Sequence, residues 1–213
     1  MLPKKPCKLW WAFYISLWKV RTMNIIAIPM LRPETGPVLA GRLDGKRIFA
    51  RSLEGLPTIT SPTLIALDFA GIELATSSFL DEAVIRFRDH LRLGRSPAYL
   101  VVANLAEKVE EELQDRLARA NDALIACDLS ATGEMTNQSL LGALEPKLND
   151  TLELVKQRGE ASAVELHSDS DEAKKIGPTA WNNRLNTLAA KSLLMEVWQG
   201  GRTKKYRPIM EAV

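Results

Sequence analysis

Histidine and cysteine are scarce: the 213-residue chain holds two of each. Cys7 and Cys127 stand far apart and form no C-x-x-C pair. His90 and His167 supply no zinc-ligand spacing. No metal site is therefore expected, and two separate thiols fit a reducing cytoplasm. The glycines build no G-x-G-x-x-G turn and no phosphate loop, so no nucleotide cofactor is implied. Long apolar runs are also missing. The run from Leu9 to Trp18, behind Lys4, Lys5 and Lys8, covers ten residues, and a bilayer needs roughly 20. It has the charge and apolar order of a signal peptide, but no small-residue cleavage site follows. Residues 1–22 are read as a poorly ordered apolar extension, with no membrane contact expected.

What is present is ordinary for a folded chain: 46% hydrophobic and 25% charged residues, with a net charge of +2. The charge is unevenly placed. Between Lys174 and Arg207 eight cations stand against Glu196 alone, so this stretch carries +7 and the remainder about −5. A basic end on an acidic body suggests a polyanion partner at that end.

Residues 23–129 alternate between strand and helix patterns. Asn24–Met30 reads as a short strand, with Pro29 placing it at a sheet edge or strand end. Val38–Leu53 has apolar spacings of three to five and predicts a helix with a basic face. Three apolar runs, Pro62–Phe69, Ala98–Asn104 and Asp122–Asp128, read as strands buried on both faces. Between them lie a helix from Ser78 to about Leu93, with a capping box from Ser78 to Asp81 or Glu82, and a helix over Glu107–Asn121. The alternation predicts parallel pairing in an α/β layer fold. Residues 130–147, rich in turn formers and poor in periodicity, read as a linker. Asp68 ends a strand at the rim where α/β sites form. No nucleophile with a general base accompanies Asp68, Asp81 or Glu82, so no catalytic residue is assigned and no enzyme is expected.

Leu67-Asp-Phe-Ala-Gly-Ile72 followed by Thr76-Ser-Ser-Phe-Leu-Asp-Glu82 resembles the D-F-x-G-V and S-S-F-x-D-E pattern of bacterial STAS-like domains, over roughly Asn24–Asp128. Leu80 departs from it, since a small residue is commoner there. The resemblance implies a mixed sheet with helices, and it implies that Thr76, Ser77 and Ser78 lie at a turn where a partner kinase can phosphorylate a hydroxyl and switch protein binding. The alternative for these hydroxyls is helix capping alone.

Residues 148–213 suggest a small α+β module. Leu148–Arg158 and Ala161–His167 read as two helices, with a loop over Ser168–Asp171. Thr179 is expected to cap a third helix from Ala180 to Lys191, with Trp181, Leu185 and Leu188 on its inner face. Gly200-Gly201 then joins two extended runs as a hairpin. The stretch T-A-W-N-N-R-L-N-x-L-x-x-K-x-L-L with G-G-R-x-x-x-Y-R-P resembles the recognition helix and wing of bacterial winged helix regulators. Ser192 stands where glycine is usual. On this reading Thr179, Asn182, Asn183, Arg184 and Asn186 face the major groove, where asparagine pairs with adenine and arginine with guanine. Arg202, Thr203, Lys204 and Lys205 suit phosphates or the minor groove. The expectation is a cytoplasmic, homodimeric regulator of transcription on double-stranded DNA, with the first domain for sensing, docking or dimerisation. The alternative is a protein-interaction adaptor of a partner-switching system with no direct DNA contact.

Overall fold

The computed structural model describes residues 23–33, 36–94, 96–169, 176–199 and 203–210. The expected extension over residues 1–22 lies outside them. Five strands form the central sheet in the order β1-β3-β5-β6-β7. They are β1 (Asn24–Pro29), β3 (Thr63–Asp68), β5 (Ala98–Ala103), β6 (Ala123–Leu129) and β7 (Met135–Gly142). β1, β3, β5 and β6 run parallel, and β7 returns antiparallel to β6. The fold is α/β with a mixed sheet. Pro29 ends edge strand β1, where its missing N–H costs no ladder bond.

The three apolar runs occupy the centre because each must be covered on two sides. Alternate residues explain the cover. Ile65, Leu67, Leu100, Val102, Leu124 and Ala126 enter one core with α1 (Arg42–Glu54), α2 (Ser77–Leu80), α3 (Arg86–Leu93) and α4 (Glu107–Arg119). Their neighbours Leu64, Ala66, Val101, Ala103, Ala123, Ile125 and Cys127 enter a second core. That core is completed by α5 (Pro146–Arg158), α6 (Ala163–Asp169), α7 (Pro178–Ala190) and the hairpin β8 (Leu194–Gln199) and β9 (Thr203–Pro208). The C-terminal elements thus form the layer over the second sheet face.

Several sequence expectations are corrected. Residues 135–142 are strand β7, not linker. Its polar residues lie on an edge strand, and edges need little apolar patterning. Gly142 ends β7 at φ 97°, where an added Cβ would stand 2.1 Å from the Asp122 carbonyl oxygen. Val38–Leu39 form a two-residue strand, β2, paired parallel with β4 (Leu74–Ala75), so the helix starts only at Arg42. Inside that helix Gly45 lets α1 approach α2: a Cβ there would meet the Phe79 carbonyl oxygen at 2.8 Å. The helix after the Thr76 turn passes through a π-helical turn over Asp81–Ile85. Its expected capping box does not form. Thr76 is the cap residue, no side chain caps the helix, and Glu82 pairs instead with Arg42 and Arg86 at 3.1 and 3.0 Å. Ser168 and Asp169 belong to α6 rather than to a loop.

Candidate nucleic-acid interface

Helix α7 starts two residues earlier than its sequence suggests. Gly177 is the cap residue in an extended conformation and Pro178 takes the first helical position, where a missing N–H is harmless. Thr179 therefore does not cap; it lies exposed within the first turn. Trp181, Leu185 and Leu188 are buried in the second core, at the helical spacing of one face. Asn182 and Asn183 are exposed. Arg184 is half-buried, with its guanidinium 5.0 Å from the Trp181 ring centre.

Asn186 differs from the other two asparagines. Its Oδ1 accepts hydrogen bonds from the Tyr206 hydroxyl at 2.6 Å and from Lys204 Nζ at 3.0 Å. Tyr206 is itself buried. Asn186 therefore ties α7 to the hairpin, and its carbonyl is committed.

The hairpin cations among the described residues, Lys204, Lys205 and Arg207, are also committed. β8 and β9 pair antiparallel from Leu194↔Pro208 to Gln199↔Thr203. Lys204 Nζ stands 2.5 Å from Glu196 Oε1. Burial works to lower the Lys204 pKa, but the Glu196 and Tyr206 hydrogen bonds outweigh it and hold the ammonium above its ordinary range. Lys205 reaches Glu165 at 2.9 Å and Glu160 at 3.5 Å, and Arg207 reaches Glu160 at 2.9 Å. The Glu165 bond raises the Lys205 pKa, and the same bond lowers that of Glu165. Arg202 and Gly200-Gly201 lie outside the described residues, as does the side chain of Thr203.

Glu160 and Glu165 were missed in the sequence because they precede the basic stretch. A bridge between Ala161 and Tyr206 brings them to β9. One local signal was present. Ser162-Ala-Val-Glu165 forms a capping box: Ser162 Oγ accepts from Glu165 N at 3.2 Å, and Glu165 Oε2 accepts from Ser162 N at 2.7 Å. Trp198 was not singled out either; it is 61% exposed on β8, opposite Lys204.

In the first layer, Thr76 Oγ1 accepts from Gly41 N at 3.1 Å and lies 3.3 Å from Ser78 Oγ. Ser77 is exposed and donates to Glu112 on α4. Asp68 Oδ1 accepts from Ala70 N at 3.0 Å and Asn104 Nδ2 at 2.8 Å, so it fastens the turn. Among the described residues no helix is long and apolar enough to cross a membrane. No family model, curated protein or solved structure matches the chain.

Proposed function

We propose that this protein is a DNA-binding transcriptional regulator in which a STAS-like α/β layer carries a C-terminal winged helix. The carrying observation is the amide surface of α7. Trp181, Leu185 and Leu188 fix one face in the core, which turns Asn182 and Asn183 to solvent near the start of the helix. A recognition helix reads base edges from that end. The hairpin beside it, with the Ala161–Tyr206 bridge as a third extended segment, has the order of a wing. The regulator acts as a homodimer on paired half-sites, in the cytoplasm, and catalyses no reaction.

The first layer serves as the input. Of the three hydroxyls at the Thr76 turn, Ser77 is the exposed one. A phosphate on Ser77 breaks its bond to Glu112 and sets two anions against each other across α2 and α4. A kinase-like partner at this turn fits that chemistry.

A duplex selected from a random pool tests the DNA reading. The Asn182→Ala/Asn183→Ala variant is expected to lose about 1–3 kcal/mol of binding for each base contact removed. Unchanged affinity in the folded variant, or no enriched duplex at all, rejects it. A second reading, an adaptor that docks proteins through both layers, is favoured by one observation: Lys204, Lys205 and Arg207 are already paired with carboxylates. Partner capture without duplex binding decides for it.

A further inference from the structure

A cleft of about 570 Å³ opens between the two layers. The end of α3 and the start of β5 form one wall; the last turns of α7 and the start of β8 form the other. Small-molecule sites span roughly 300–1,000 Å³, so its size suits a small ligand. Short side chains, Ala190 and Ser192 among them, keep it open on the α7 side.

Its two ends differ chemically. At one end Arg92 lines the wall. Behind it Arg88, Arg92 and Lys191 converge on Asp122 at 3.0, 2.6 and 3.3 Å. Asp89 adds a second carboxylate, 2.7 Å from Arg88. Three cations thus face two anions, and Arg92 Nε is buried without an acceptor. At the other end stand Tyr99, Asn186 and Glu196. Burial, helped by the Glu196 charge, raises the Tyr99 pKa, so its hydroxyl stays a neutral donor. Asn186 Oδ1 is already taken by Tyr206 and Lys204, which leaves its amide N–H groups to donate. The Glu196 carboxylate is engaged by Lys204. The cleft therefore offers a surplus of positive charge at one end and mainly donors at the other.

We propose that this cleft binds a small organic carboxylate, its carboxylate toward Arg92 and an oxygen-bearing group toward Tyr99 and Asn186. Such a ligand touches both layers. Arg92 Nη2 also donates to the Lys191 carbonyl oxygen at 2.5 Å, just past the end of α7. A bound carboxylate competes for that guanidinium, so occupancy is transmitted to α7. Binding itself stands apart from the DNA reading and is measured without DNA.

The test uses the full chain, with benzoate, 4-hydroxybenzoate and shikimate as probes, each beside its primary amide. Backbone and side-chain amide NMR spectra report the site. The expected result is a saturable shift at Tyr99, Ser192 and the Asn186 side chain for at least one carboxylate, with Kd below about 1 mM. Its amide should bind at least tenfold more weakly. Ala190→Trp, which fills the cleft from an exposed helix position, should abolish the shifts without lowering the melting midpoint. Arg92→Gln should weaken binding, and if it unfolds the chain the Ala190→Trp result still decides. Three outcomes overturn the proposal: no saturable shift with any carboxylate, equal affinity for acid and amide, or shifts that survive Ala190→Trp.

Discussion

Helix α7 and the hairpin β8–β9 carry the polar groups expected to meet DNA, and they hold them in opposite ways. Asn182 and Asn183 on α7 are exposed, whereas Lys204, Lys205 and Arg207 on the hairpin are bound to Glu196, Glu160 and Glu165. Charge counted along a chain is thus a poor guide to charge presented at a surface. The +7 stretch is real in sequence, but the fold delivers three carboxylates to it from outside, Glu160 and Glu165 at the hairpin and Asp122 at Lys191, and one from within, Glu196. Discrimination by the amides can remain strong while the electrostatic part of DNA binding is muted, because affinity for phosphates depends on cations available to displace counterions.

The largest expected effect concerns the anchoring of α7. Trp181 is 1% exposed and shares its core with the sheet residues Leu64, Val101 and Ile125. Trp181→Ala should cost about 3–5 kcal/mol, as large-to-small core changes do. Urea unfolding followed by far-UV circular dichroism should show the whole chain losing stability in one transition. A cost under about 1 kcal/mol, or a separate early transition of the C-terminal helices alone, would break the picture of α7 as a face fixed against the sheet.

The legible part of the fold was the part governed by local apolar patterning. β3, β5 and β6 stood out because both their faces are buried, and α4 because Val109, Leu113 and Leu117 fall on one face. The second face of those strands required a cover that no local pattern could name; it is the C-terminal layer, from residue 146 onward. β7 escaped because an edge strand with Thr136, Asn137, Gln138 and Ser139 reads as a polar loop. In the candidate interface, Trp181, Leu185 and Leu188 were legible as a buried stripe. Asn182, Asn183 and Asn186 looked alike in sequence, and only the hairpin register, which brings Tyr206 beneath α7, separates the third from the first two. The acids on Lys205 and Arg207 were illegible for the same reason. Their contacts span 40 to 47 residues and depend on the Ala161–Tyr206 bridge.

That separation of the asparagines gives a middle-sized effect. Asn186→Ala removes the acceptor of a buried tyrosine hydroxyl and should cost about 1–3 kcal/mol of stability. Asn182→Ala changes an exposed helix position and should stay within about 0.5 kcal/mol. Thermal unfolding of the two variants side by side checks the contrast. Equal costs would mean that Asn186 does not join α7 to the hairpin, and the distinction between committed and presented amides would fall.

The smallest effect tests whether the hairpin acids hold the cations back. Glu160→Gln/Glu165→Gln should raise duplex affinity a few-fold and steepen its salt dependence by about one unit of slope for each cation released onto a phosphate. Glutamine at 165 keeps the capping box with Ser162, so the change isolates charge from helix capping. Acid should act in the same direction. The Lys205 bond holds the Glu165 pKa below its ordinary 4.5. Its contribution to stability is therefore complete above the unfolded-state value and is lost as pH falls through the lower folded-state value. Across about pH 6–8 the Glu165–Lys205 pair stays charged on both sides, so the double variant should keep a constant affinity advantage over that range. An unchanged salt slope in the variant would show that Lys205 and Arg207 do not reach the duplex even when released. The hairpin would then serve as a brace for α7, and DNA contact would rest on the helix alone.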